Sequence, residues 1–281
     1  MRWQDGRRSD NVEDRRGQKG GRGLKVGGAA GVVIVLGVVV FGVATGTDVS
    51  GLLDALAGPA GSGGATSPAD DARAEFISVV LADTEDTWGP IFQARGQTYT
   101  PPRLVLFRDR VDSACGMQSA ATGPFYCPGD RQAYVDLSFF DELDQRFGAP
   151  GDFAQAYVLA HEIGHHVQTL TGVSAQMHAL ERGRSEAERN ELSVRQELQA
   201  DCYAGVWGHH ANRRDLLEAG DVEEGLRAAA AIGDDTLQRG AGRTVTPESF
   251  THGTSAQRTR WFRVGFDSGD MSRCDTLGAA L

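Results

Sequence analysis

Two histidines four residues apart, His161 and His165, stand in the run His161-Glu162-Ile163-Gly164-His165-His166. On a helix, positions four apart share one face, so both imidazoles can bind the same metal ion. Glu162 lies beside them, where a carboxylate can take a proton from metal-bound water. Those residue types at that spacing point to metal-assisted hydrolysis. The surrounding segment is apolar (Phe153, Tyr157, Leu159, Val167, Leu170), the pattern of a buried helix rather than of a solvated histidine patch. His166 points about 100° away from His165 and reads as a packing or hydrogen-bonding residue.

Two histidines make only half a site, because a catalytic zinc takes three protein ligands and leaves a position open for water. Glu197 and Asp201 are also four apart, in Glu197-Leu198-Gln199-Ala200-Asp201. They sit among Leu198, Cys202, Tyr203, Val206 and Trp207, and carboxylates in so apolar a segment need an electrostatic reason to be there. On residue types alone, either can complete the donor set. His252 lies in a Gly-containing loop before a helix, where it can steady an oxyanion or make a structural hydrogen bond. His178, His209 and His210 lie in polar contexts and are expected at the surface.

The elements that must position these residues are mostly helical. Helices are expected over 71–94, 138–147, 152–170, 186–210, 221–238 and 255–266. Asp152 and Gln155 look like a capping box for the histidine helix, and Gly172 like its stop. Leu104-Val105-Leu106-Phe107 reads as a strand, and Phe125-Tyr126-Cys127 and Ala133-Tyr134-Val135 flank a turn at Pro128-Gly129-Asp130. The class is α+β, mainly helical with a small β-sheet.

The first 70 residues read differently. Residues 1–25 carry eight basic and four acidic side chains, and the remainder carries 20 basic and 34 acidic ones. So acidic a body excludes nucleic acid as a partner by phosphate neutralisation. Residues 26–47 are 22 uncharged residues, which as a helix reach about 33 Å, enough for one bilayer crossing. With no clean A-x-A site after Phe41, the stretch reads as an uncleaved signal anchor. The basic flank then places residues 1–25 in the cytoplasm and everything after Thr47 outside. Residues 48–70, rich in Gly, Ala, Ser and Pro, read as a flexible linker, with Leu52, Leu53 and Leu56 able to form a short interfacial helix instead. The folded domain is expected over 71–281, on the outer face of a single-pass membrane protein. There Cys115 with Cys127, which bracket a Gly-rich loop, and Cys202 with Cys274 could oxidise. Cys202 could equally be a buried thiol.

The runs His161 to Gln168 and Glu197 to Trp207 resemble the putative neutral zinc metallopeptidases, a bacterial membrane-anchored family. So do Ala114-Cys115-Gly116, Gly123 to Pro128 and Thr251 to Arg258. The similarity covers roughly residues 71–281. It implies a zincin-like domain with Zn(2+) as cofactor, a peptide or protein substrate, and Glu162 as general base. It further implies that Glu197 is the third ligand and Asp201 a hydrogen-bond partner of a ligand histidine. Two other readings stay open: a catalytically inactive, metal-stabilised binding module outside the cytoplasm, and a metal-free envelope protein.

Overall fold

A computed structural model of the chain describes residues 1–17 and 66–279. The apolar stretch 26–47 and almost all of the linker 48–70 lie outside the described residues. Among the described residues, no helix is long and apolar enough to cross a membrane.

The N-terminal residues are built into the domain. Strand β1 (Val12–Asp14) runs parallel to β2 (Arg103–Phe107), β2 parallel to β6 (Gln132–Asp136), and β5 (Phe125–Cys127) antiparallel to β6, in the order β1-β2-β6-β5. The expected hairpin is the β5–β6 pair, with Phe125 opposite Tyr134. A second hairpin, β3 (Arg110–Ser113) with β4 (Gly116–Ser119), has no apolar alternation and escaped the sequence reading.

This corrects the reading of residues 1–17 as part of a separate cytoplasmic segment. Several of their basic side chains find acidic partners on the domain. Arg7 binds Glu85 and Asp86 at 2.9 and 2.8 Å, Arg8 binds Glu75, and buried Arg16 bridges Asp14 and Asp71. Trp3 packs edge-on against Phe76, and the Met1 ammonium sits 2.8 Å from Asp152, 3.0 Å from Glu218 and 3.3 Å from Asp221. A single bilayer crossing between residues 17 and 66 would put these partners on opposite faces. The contacts and the expected topology therefore exclude one another.

Helix α1 (Pro68–Ala94) opens on a capping box between Ser67 and Asp70 and buries Phe76, Ile77, Val80, Leu81, Trp88 and Phe92. After the sheet come α2 (Phe139–Gln145), α3 (Asp152–Leu170), α4 (Val173–Glu181) and α5 (Glu186–Arg213). Then follow α6 (Asp221–Ala231), α7 (Asp234–Gly240) and α8 (Ser255–Ser268). The expected helix over 221–238 is broken in two at Ile232-Gly233. Ser255 packs so closely there that a Cβ on Gly233 would lie 2.4 Å from its backbone nitrogen. The expected capping box of α3 is also absent. Gly151 is the N-cap, and Glu224 of α6 accepts the Phe153 N–H at 3.1 Å, a tertiary partner for a donor the helix leaves orphaned.

The core is formed by α3 and α5 against α1, α6 and α8. Two close crossings set its geometry. A Cβ on Gly164 would meet the Ala200 carbonyl oxygen at 2.9 Å, so α3 and α5 touch backbone to backbone beside the histidines. A Cβ on Gly265 would lie 1.9 Å from the Cys202 carbonyl oxygen, which brings α8 equally close to α5. Both disulfides are formed, Cys115–Cys127 and Cys202–Cys274, so Cys202 is not a free thiol. The second ties α5, next to Asp201, to the segment after α8.

Candidate active site and metal centre

His161 and His165 leave α3 on the face that meets α5, and Glu197 on α5 faces them. His161 Nε2 lies 3.0 Å from Glu197 Oε2, and His165 Nε2 lies 3.4 Å from Glu197 Oε1. One atom from each of the three residues falls within 4.8 Å of the others. Ligands of a tetrahedral zinc at about 2.0–2.1 Å stand roughly 3.3 Å apart, so this donor set fits that ion. The other nitrogens are occupied in a way that frees Nε2. His161 Nδ1 donates to Asp201 Oδ1 at 2.9 Å and His165 Nδ1 to Gln168 Oε1 at 2.9 Å. Such partners fix ring orientation and tautomer for metal binding. Asp201 is fully buried and spends its carboxylate on His161, Tyr157 and Arg258, outside the three-residue donor set.

Charge is concentrated and screened from water here. Burial alone pushes Glu197 up, but His165 and His161 outweigh it and hold the carboxyl well below its usual range. Burial disfavours a charged His161, yet Asp201 and then Glu197 outweigh it and raise the imidazole to about 10. Glu162, only 8% exposed, is raised by burial against the pull of His165 and His161. A buried carboxyl moved upward is suited to accepting and returning a proton.

The raised His161 has a measurable consequence. Below about 10 the metal-free imidazole carries a proton that an entering zinc must displace. Zinc affinity is expected to climb by about one log unit per pH unit for each proton released. Competition against a chelator between pH 6 and 9 checks this, after correction for the chelator's own protonation. A profile flat above pH 7 would mean that His161 is not held protonated in the metal-free protein.

These groups line a cavity of about 760 Å³, with Glu162 and Tyr157 on α3, Tyr126 on β5, and Phe139 on α2. His252 lies at its rim and is half exposed. Asp234 anchors the loop that carries it. One Asp234 oxygen accepts the backbone N–H groups of Thr251, His252 and Gly253 at 2.7–3.0 Å, and the other lies 3.3 Å from His252 Nδ1. That hydrogen bond to Asp234 raises the imidazole. His166 has the structural role its direction suggested. It bonds the Tyr126 hydroxyl at 3.0 Å and the Thr100 carbonyl at 2.7 Å, and burial lowers it to about 4. His178 is exposed as expected, but His209 and His210 are half-buried and bond the carbonyls of Phe266 and Gly269.

Sequence reasoning missed three polar residues of the site. Tyr157 stands four before His161 and so shares its face, a spacing that was legible. Arg258 and Asp234 reach the site from α8 and α7. Arg258 ends the run Thr251 to Arg258 that carries the family resemblance but was given no role, and nothing local in the sequence marks Asp234.

The chain is a mainly helical α+β protein in which the two histidines of the HExxH run and Glu197 could hold a metal ion. The sequence matches the family described as Putative neutral zinc metallopeptidase over residues 1–277, and the chain belongs to that family. It is 49% identical over 289 residues to the uncharacterized protein YpfJ of Escherichia coli (strain K12), with all of both chains covered. It is also 43% identical over 204 residues to the uncharacterized protein Rv2575 of Mycobacterium tuberculosis (strain ATCC 25618 / H37Rv), covering 69% of this chain and 67% of that one. No solved structure matches the chain.

Proposed function

We propose that this protein is a zinc-dependent peptidase that hydrolyses peptide bonds of a peptide or protein substrate. The observation that carries the reading is the convergence of His161 Nε2, His165 Nε2 and a Glu197 oxygen beside a buried Glu162 on one cavity wall. His161, His165 and Glu197 would hold the ion. Zinc bound there would lower the pKa of a coordinated water toward about 7 and polarise the scissile carbonyl. Glu162 takes the proton of the attacking water and returns it to the leaving amine, a role its burial supports. His252, held at the rim by Asp234, donates a hydrogen bond to the oxygen that becomes negative during attack.

Metal content by mass spectrometry on the full chain, purified without chelator or histidine tag, tests the site. About one zinc per chain is expected in the wild type, and a loss of most of it in Glu197→Ala. Zinc retained at wild-type level in that variant would remove Glu197 from the donor set.

A membrane role for residues 26–47 belongs to the same reading, with a changed topology. Twenty-two residues suffice for one crossing and not for two. Because residues 1–17 dock on the domain, the stretch would insert from one face and leave both flanks on that face. The two disulfides favour the oxidising, outer face.

A further inference from the structure

Arg258 is 2% exposed and reaches the metal centre from α8 without belonging to the donor set. Its Nε donates to Asp201 Oδ2 at 2.9 Å and one Nη to Asp201 Oδ1 at 2.9 Å, a two-point fork on one carboxylate. The same Nη donates to the Tyr157 hydroxyl at 3.2 Å, while the other donates to the Ile232 carbonyl at 3.2 Å. Tyr157 in turn donates to Asp201 Oδ1 at 2.5 Å.

Asp201 Oδ1 therefore receives three donors: Tyr157, Arg258 and His161 Nδ1. Its direction in space is set by the first two, because the planar guanidinium fixes the plane of the carboxylate. An aspartate held that way can accept only from a His161 that carries a proton on Nδ1, which leaves Nε2 as the ring nitrogen directed at Glu197 and His165.

We propose that Arg258 is a positioning residue of the metal centre, which prepares His161 for zinc by locking Asp201 from a third helix. The inference rests on the zinc reading of His161, His165 and Glu197. A merely structural Arg258 would tie α8 to α3 and α5 and leave zinc affinity alone. As a positioning residue it controls affinity through Asp201, so the two substitutions must not act independently.

Lysine keeps the charge and loses the fork. Zinc affinity of the full chain is measured by competition with a chromophoric chelator for wild type, Arg258→Lys, Asp201→Asn and the double variant. Each single substitution is expected to weaken zinc by about 10- to 100-fold. The double variant is expected to bind no more weakly than Asp201→Asn alone. Folded Arg258→Lys with wild-type affinity, or losses that multiply in the double variant, would overturn the proposal while leaving the zinc reading intact. A wild type that binds no zinc fails the zinc reading and this proposal with it. Should Arg258→Lys not fold, the paired change Asp201→Asn with Arg258→Met removes both buried charges together. That pair is expected to bind zinc as Asp201→Asn alone does, and a further loss of about 10-fold or more in it overturns the proposal.

Discussion

Glu162→Gln is expected to lower peptide hydrolysis by about 10²- to 10⁴-fold, the range attributable to a positioned general base, with zinc content unchanged. Glutamine keeps the size and shape of the side chain, so the packed surroundings of a residue 8% exposed are preserved. What disappears is the ability to hold a proton between attack and amine departure. Rates on a generic denatured-protein substrate, together with metal content of the same preparation, separate the two effects. Full activity with zinc bound would remove Glu162 as the base. Lost activity with lost zinc would mean that the substitution disturbed the site itself.

Deleting residues 1–17 is expected to destabilise the protein by roughly 3–6 kcal/mol, counting about 1.5–3 kcal/mol for each large apolar side chain withdrawn from the core. Met1 is buried at 5% exposure, Trp3 covers Phe76, and β1 completes one edge of the sheet. A loss of that size is a large share of a domain's net stability of about 5–15 kcal/mol. Urea titration of the full chain and the deleted chain reads it directly, and coincident midpoints would show that the segment contributes nothing. The same contacts carry a topological expectation. Cysteines introduced at exposed Asp5 and exposed Arg273 should react with an impermeant maleimide from the same side of sealed vesicles. Labelling from opposite sides would mean that the proposed membrane insertion separates residues 1–17 from the domain.

The domain boundary shows why composition misleads here. Eight cations in 25 residues before a long apolar stretch carry the charge pattern of a cytoplasmic flank. Charge counting cannot see that Glu75, Glu85, Asp86 and Asp71 lie along the helix that receives Arg7, Arg8 and Arg16. Parallel pairing of β1 with β2 is equally invisible, because the partners are about ninety residues apart and neither alternates in polarity.

Some of the site was fixed by local sequence. The spacing of His161 and His165 on an apolar helix puts two imidazoles on one face whatever the rest of the chain does, since helical periodicity is a property of the backbone. The same holds for Glu197 and Asp201, and for the strands around Pro128-Gly129-Asp130. Which carboxylate faces the histidines was decided by tertiary structure, through the crossing of α3 and α5 at Gly164 and Ala200. That crossing turns Glu197 toward both Nε2 atoms and Asp201 toward His161 Nδ1. Asp234 under His252, Glu224 at the start of α3, and Arg258 on Asp201 belong to the same class. Each is a charge whose partner lies on another element, and only packing brings the two within hydrogen-bonding distance.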